Sequence, residues 1–406
     1  LKKIMRISLV ITLLLTLFYY GPNAAADNII DNKVSVSAAA AILVDAKTGQ
    51  VLFAKNPFQQ RPPASTTKVI TALLAIESGR LMEPVTVSRR AAYTEGSSMY
   101  LSAGEVLTMS DLLYGALLNS GNDACAAIAE HVAGSLENFA VLMNMKALAL
   151  GAVNTNFTNP HGLPDKDHYT CAYDLALIAR SALENQTFSE IVKTKDKVVN
   201  LPGQGWDRRL QNTNQLLWRY FWADGIKTGT TNAAGQCLIS SATKGSRQLV
   251  AVVLRSGDRW NDSIKMFEYG FNHYEYYQAA VTGAEFGQYK VQNGVREVLP
   301  VVYGGNLGIL VPVRDPGALE KRVRLNPYPA APVKKGQIIG EVSYYLHKNF
   351  VGKVNLTAAV DVREIGFWDI LTDWWKQKLS GLFGYISSNY LHQARGILVN
   401  VSNLNE

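Results

Sequence analysis

Apolar positions change period several times along this 406-residue chain, and each change marks an element. Residues 37–44 (SAAAAILV) and 51–54 (VLFA) are two apolar runs separated by Asp45-Ala46-Lys47-Thr48-Gly49-Gln50, which predicts a hairpin with Gly49 in its turn. From Ser65 to about Glu77, Val69, Leu73 and Ile76 recur at helical spacing, with Ser65 as a candidate N-cap. Further helices are predicted at 110–118, at 122–133, at 138–150 with Gly151 as C-cap, at 172–184 and at 263–270. Residues 236–243 (QCLISSAT) and 248–255 (QLVAVVLR) are dense in β-branched and apolar residues, joined by Lys244-Gly245-Ser246-Arg247, and read as a second hairpin. A hairpin, a block of helices, a hairpin and a closing helix predict an α/β sandwich, an antiparallel sheet flanked by helices, and not an alternating βαβ fold.

Beyond residue 280 Gly and Pro punctuate short runs such as REVLPVVY, GILVPV and QIIGEVSYYL, which predicts a small all-β domain over 281–362. In the last segment, 363–406, Phe367, Ile370, Leu371, Trp374, Trp375, Leu382 and Ile386 fall on one broad helical face. Asp369, Asp373, Lys376 and Lys378 lie mainly away from it. Tandem Trp flanked by Lys suits a helix lying in a membrane interface, although Gly381 and Gly384 weaken it and it can be two shorter pieces. The alternative is a helix folded back on the β-rich domain.

The first 26 residues have a different texture. Lys2, Lys3 and Arg6 precede an apolar run from Ile7 to Tyr20, and Gly21-Pro22 and Ala24-Ala25-Ala26 follow it. A basic start, an apolar middle too short for the ~20 residues of a membrane span, and small residues at the end predict a cleaved signal peptide over 1–26. An uncleaved anchor is the competing reading. Cleavage lowers the net charge of +7 by three, leaving a mildly basic protein compatible with an anionic envelope surface and too weakly charged to suggest nucleic acid. The remainder, 27–280, forms the predicted main domain. Export permits disulfides, yet the only cysteines are Cys125, Cys171 and Cys237, each among small or apolar neighbours and therefore read as buried residues.

Three short motifs carry the chemistry. Ser65 and Lys68 form S-x-x-K, Ser120 and Asn122 form S-x-N, and Lys227-Thr228-Gly229 form K-T-G, followed by Thr230. Each has an impostor elsewhere: Ser241/Lys244, Ser387/Asn389 and Lys47-Thr48-Gly49. Helical spacing of three brings Lys68 onto the Ser65 face, whereas Ser241 and Lys244 lie on a strand running into a turn. Ser387 and Asn389 fall in the amphipathic tail, and Lys47 fills a hairpin turn. The physics of the remaining set suits acyl transfer. A serine hydroxyl needs a base, and a lysine is one only when burial or a second cation, here Lys227, lowers its pKa. Ser65 at a helix start can offer its own N–H to an oxyanion. Ser120 can relay a proton to the leaving amine, Asn122 can bond the acyl-side amide, and Lys227 with Thr228 can hold a terminal carboxylate beside the unobstructed Gly229. His161, Asp165, Asp167 and His168 match no specific zinc spacing. They read instead as a loop flanking the site, braced by His161 and Asp174, and no metal or cofactor is expected.

On these motifs, and on NPHGLPDKDHYTCAYDLALIAR (159–180) and DGIKTGTTNAAGQCLISSAT (224–243), the sequence resembles the low-molecular-mass penicillin-binding proteins, the serine-type D-alanyl-D-alanine carboxypeptidases. The resemblance implies a fold of the DD-peptidase/β-lactamase type followed by a small all-β domain and a C-terminal amphipathic helix. It implies that Ser65 forms an acyl-enzyme with peptidoglycan stem peptides ending in D-Ala-D-Ala, that β-lactams acylate Ser65, and that the Thr230 N–H is the second oxyanion donor. It also implies an exported protein held at the outer leaflet of the cytoplasmic membrane by its tail. A class A-like β-lactamase would need a deacylating carboxylate that is not evident between 150 and 175. A DD-endopeptidase or transpeptidase would differ only in acyl acceptor, and a non-catalytic penicillin-binding sensor is the non-enzyme alternative.

The two K-T-G copies should separate by mutation. Lys47→Ala is expected to leave acylation by a labelled penicillin nearly intact, and Lys227→Ala to remove most of it; equal behaviour of the two variants would refute the assignment.

Overall fold

The computed structural model describes residues 34–380, apart from 202–206 and 328. The predicted signal peptide and the tail beyond residue 380 lie outside the described residues, as does the Ser387/Asn389 pair. The chain forms two compact units. One is built from residues up to Tyr277 with Ile309–Leu319 and Leu346–Asn349, the other from Gln278–Gly308, Glu320–Tyr345 and the residues from Phe350 on.

The first unit is organised around an antiparallel sheet of β1 (Ala40–Asp45), β2 (Val51–Lys55), β3 (Ala223–Thr231), β4 (Gly235–Lys244) and β5 (Arg247–Ser256), in the order β2-β1-β5-β4-β3. Alternation along the strands divides two cores. Ile42, Val44, Val250, Val252 and Leu254 join the helical core on one face. Ala41, Leu43, Leu249, Ala251 and Val253 join Met266 and Phe267 on the other. Both faces are buried, which explains why QLVAVVLR reads as a continuous apolar run and not an alternating one. The predicted 37–44/51–54 and 236–243/248–255 hairpins correspond to β1–β2 and β4–β5.

The helical side contains α1 (Lys68–Glu77), α2 (Met109–Leu117), α3 (Asn122–Ala133), α4 (Leu136–Ala149) and α5 (Ala172–Leu183); α6 (Arg259–His273) covers the other face. Gly151, at φ +83°, ends α4 by donating its N–H to the Leu148 carbonyl. The helix predicted at 263–270 begins earlier, at Arg259, because the Asp258 side chain caps it by accepting the Asn261 N–H. The N-cap expected at Ser65 is not formed. Ala64 adopts φ +50°, and Ala64–Thr67 is a 3-10 turn without a side-chain cap leading into α1. The Lys47-Thr48-Gly49 triplet is a turn, with Gly49 at φ +76° and both the Thr48 N–H and hydroxyl donating to Asp45 Oδ1 at 2.7 Å.

The second unit holds a five-stranded antiparallel sheet in the order β6 (Glu285–Lys290), β7 (Val298–Tyr303), β10 (Asn349–Ala358), β9 (Ile338–Leu346), β8 (Leu319–Leu325). Leu299, Val301, Ile339, Val342 and Leu356 are buried there. Residues 367–380 form a helix.

One buried carboxylate ties the ends of the main sheet to α6. Asp262 accepts the Ser37 N–H (2.9 Å) and hydroxyl (2.7 Å), the Ala38 N–H (2.9 Å) and the Ser256 hydroxyl (2.7 Å). Removing the acceptor strands these donors. Asp262→Ala should therefore destabilise the protein by about 3 kcal/mol or more, read from its urea midpoint; an unchanged midpoint would contradict this.

Candidate active site

The turn Ala64–Thr67 presents Ser65 beside the first residue of α1, Lys68, whose side chain is fully buried. The Lys68 amine contacts three oxygens: Ser65 Oγ at 2.8 Å, Asn122 Oδ1 at 2.6 Å and the His161 carbonyl at 3.0 Å. Asn122, the first residue of α3, is itself oriented, because its Nδ2 donates to the Glu95 carbonyl at 2.6 Å. Two residues before it Ser120, 6 % exposed, takes a left-handed conformation at φ +60°. Asp123 organises the loop above α3 by accepting the Ser98 hydroxyl and the N–H groups of Met99 and Leu101.

Opposite Ser65 lies β3, the edge strand of the sheet, which carries Lys227, Thr228, Gly229 and Thr230. The close approach accounts for Gly229. A Cβ there would lie 3.0 Å from the Pro63 oxygen and 3.1 Å from the Ser65 nitrogen. Gly162 has the same function from the third side, since a Cβ would overlap the Ala64 carbonyl. The Lys227 amine is buried, with the Thr228 carbonyl at 3.2 Å, and Thr228 Oγ1 lies 2.9 Å from Thr213 Oγ1. Thus S-x-x-K, S-x-N and K-T-G converge on one cleft. Lys47 instead lies over the Tyr276 ring, and Lys244 over Trp222 and Phe271.

The electrostatics follow from burial. Desolvation pushes the Lys68 amine down to about 8, against the opposing pull of Cys125 and Asp123. Lys227 is held well below the ordinary lysine value, first by burial and then by the charge of Lys68. Burial is thus the main cause on both amines; the charge of Lys68 further lowers Lys227, whereas Lys68 is depressed by burial and not by Lys227 as the sequence suggested. With Lys68 lowered to about 8, its neutral form is gained as pH rises through that value. The three cysteines are buried thiols; Cys125 is pushed up to about 11 by desolvation, which suppresses thiolate chemistry.

The flanking loop is held by side chains that sequence reading treated as a cluster. The His168 Nδ1 accepts the Thr158 N–H, so its Nε2 carries the proton toward Thr67 Oγ1 at 2.9 Å. Asp174 accepts the Asn154 N–H and the Thr155 hydroxyl. Asp165 and Asp167 are exposed. Sequence reading missed Asp123, Thr213 and Arg259, whose Nη1 donates to Thr230 Oγ1 (2.9 Å) and the Gly229 carbonyl (3.1 Å).

A buried lysine on a serine, on the edge of an antiparallel sheet packed by helices, defines a serine acyl-transfer enzyme of the penicillin-recognising class. The profile of the D-alanyl-D-alanine carboxypeptidase family matches residues 26–257, and that of the penicillin-binding protein 5 C-terminal domain matches 274–364. D-alanyl-D-alanine carboxypeptidase DacF of Bacillus subtilis is 32 % identical over 394 residues, covering 93 % of this chain and 100 % of that protein. DacC of Escherichia coli is 34 % identical over 384 residues, covering 91 % and 95 %. The crystal structure of penicillin binding protein 5 from Haemophilus influenzae superposes with a TM-score of 0.73 at 31 % identity, covering 82 % of this chain and 100 % of that one. The chain belongs to the D-alanyl-D-alanine carboxypeptidase family, the serine hydrolases among the penicillin-binding proteins.

The fit around Gly229 generates a test. Gly229→Ala should lower acylation at least about tenfold by pushing β3 off the Ser65 turn, while thermal unfolding shifts by no more than a few degrees. Unchanged acylation would show that the two elements are not in register for catalysis.

Proposed function

We propose that Ser65 is the nucleophile of a D-alanyl-D-alanine carboxypeptidase that trims peptidoglycan stem peptides, with Lys68 as its general base. The observation that carries this reading is the set of partners around the Lys68 amine. A neutral amine has two N–H groups and one lone pair. The His161 carbonyl can only accept, and Asn122 Oδ1 is fixed as an acceptor by the Nδ2–Glu95 bond. Both N–H groups are therefore committed, and the lone pair is left facing Ser65 Oγ at 2.8 Å. Proton and nucleophile are matched by geometry before substrate arrives.

The remaining roles complete the reading. Lys227 and Thr228, the latter backed by Thr213, hold the terminal carboxylate. Ser65 Oγ attacks the carbonyl of the penultimate D-alanine, and the N–H groups of Ser65 and Thr230 face the developing oxyanion. The proton taken by Lys68 passes through Ser120 to the leaving amine, the C–N bond breaks, and D-alanine departs. Asn122 keeps one Nδ2 hydrogen for the acyl-side amide. Water then cleaves the ester and restores Ser65. A β-lactam follows the same first step, and its ring nitrogen is the leaving group that stays attached.

Such a substrate lies outside the cytoplasm, so the reading includes export and residence on the outer face of the cell membrane through residues 363–406. Its support is the exposure of Phe367, Trp368, Ile370, Trp374, Trp375 and Leu379 on the 367–380 helix, an apolar and aromatic set with no place in water. Among the described residues no helix is long and apolar enough to cross a membrane.

Purified protein should release D-alanine from a stem-peptide analogue ending in D-Ala-D-Ala, and Ser65→Ala should abolish release; no release from wild type, or undiminished release from the variant, would sink the proposal. Vesicles of anionic lipid should float the full chain but not one lacking residues 363–406. Equal partitioning of the two would refute the anchor.

A further inference from the structure

Helix α4 (Leu136–Ala149) is apolar on both sides. Toward the interior it buries Phe139, Met143 and Ala147 in the helical core. On the other side Val141, Met145 and Leu148 stand 57 %, 62 % and 67 % exposed, with Leu142 and Ala149 beside them and Val153 just past the helix end. A surface helix ordinarily turns charge to the solvent, and one that is apolar all round is ordinarily covered. Asn138, Val141, Met145 and Leu148 succeed one another at intervals of three, four and three, the a and d spacing of a two-helix seam.

The charges of α4 are already used. Glu137, at the N-terminal end, is paired with Arg90, and Lys146 is paired with Glu77 of α1. A charged partner would find no counter-charge along the stripe, and its own charges would be desolvated against apolar side chains. A lipid surface matches no better. Interfacial helices carry aromatic residues and free cations, whereas Phe139, the one aromatic residue of α4, is buried and Lys146, its one cation, has its partner. The occupant that fits is an uncharged apolar helix face of the same length, and α4 of a second copy presents one. Burying Val141, Leu142, Met145, Leu148 and Val153 removes on the order of 400 Å² per copy, about 800 Å² for the pair. That lies below the size of a stable complex. Such a contact is transient in free solution and fills when copies are concentrated on one surface.

We propose that the outer face of α4 is a self-association seam, in which two copies pair α4 against α4 about a two-fold axis passing near Met145, and that residence on one membrane drives the pairing. Met145 lies nearest the middle of the Val141–Leu148 stripe, so it is the residue that meets its own counterpart at the axis. The seam itself stands without the anchor; its occupancy at low protein concentration rests on the membrane reading of residues 363–406 above.

The test is disulfide cross-linking of the full chain under mild oxidant, since Cys125, Cys171 and Cys237 are buried and an introduced surface thiol is read without interference. In concentrated solution Met145→Cys should give a covalent dimer at least about tenfold faster than Val106→Cys, an exposed apolar position outside α4. Adding Leu148→Glu to Met145→Cys should bring the rate down to that of Val106→Cys, with acylation by a labelled penicillin unchanged as the check that the variant is folded. On vesicles of anionic lipid, Met145→Cys should cross-link at least about tenfold faster than at the same bulk concentration in solution. Cross-linking of Met145→Cys no faster than that of Val106→Cys, or unaffected by Leu148→Glu, overturns the seam. So does loss of the solution cross-link on removing residues 363–406, which would make the tail and not a second α4 the element that holds the copies together. Equal rates on vesicles and in solution, for a chain that floats with the vesicles, overturn the membrane-driven pairing. A chain that does not float overturns the anchor reading, and the seam is then decided by the solution rates.

Discussion

The site depends on the burial of one amine. Lys68 sits at the first position of α1 fully buried, and its three contacts come from three separate parts of the chain. Desolvation lowers its proton affinity, and the surrounding acceptors then dictate where its two remaining hydrogens point. The nearby elements can be read as support for this arrangement. Asn122 is oriented by Glu95, the loop above it by Asp123, and the His161 carbonyl by a loop that His168 ties to Thr67.

A second constraint is the closeness of β3 to the Ser65 turn. An edge strand exposes a row of main-chain groups, normally a liability, and here that edge packs beside the turn that carries Ser65. Gly229 and Gly162 let the turn be approached closely from two sides. The left-handed Ala64 and Ser120 are the cost of this geometry, since both place a non-glycine residue at positive φ beside the cleft. The Asp262 carboxylate holds the same sheet to α6 where β1 begins and β5 ends.

Much of this was legible in the sequence. The α/β sandwich follows from two apolar hairpins around a helical block, and the three motifs were separable from their impostors by order and by element, since Ser241 is on a strand and Lys47 is in a turn. What stayed hidden has physical reasons. The 3-10 turn at Ser65 depends on Ala64 at φ +50°, a conformation that no local residue preference announces. The His161 carbonyl contact has no residue signature, because any residue supplies a carbonyl. Thr213 and Arg259 reach Thr228 and Thr230 from 15 and 29 positions away, and only the tertiary fold brings them there. The buried sheet faces also concealed the alternation that marks a half-exposed strand.

The central claim is that neutral Lys68 takes the proton of Ser65, and the most direct measurement is the pH dependence of the acylation rate with a fluorescent penicillin. The folded-state value is depressed from 10.5 to about 8, so the base form is gained as pH rises through about 8 and lost below it. The account predicts an acylation rate that climbs from pH 6, bends near pH 8 and levels off above it. A rate independent of pH across that range, or a bend near the ordinary lysine value of 10.5, would contradict it.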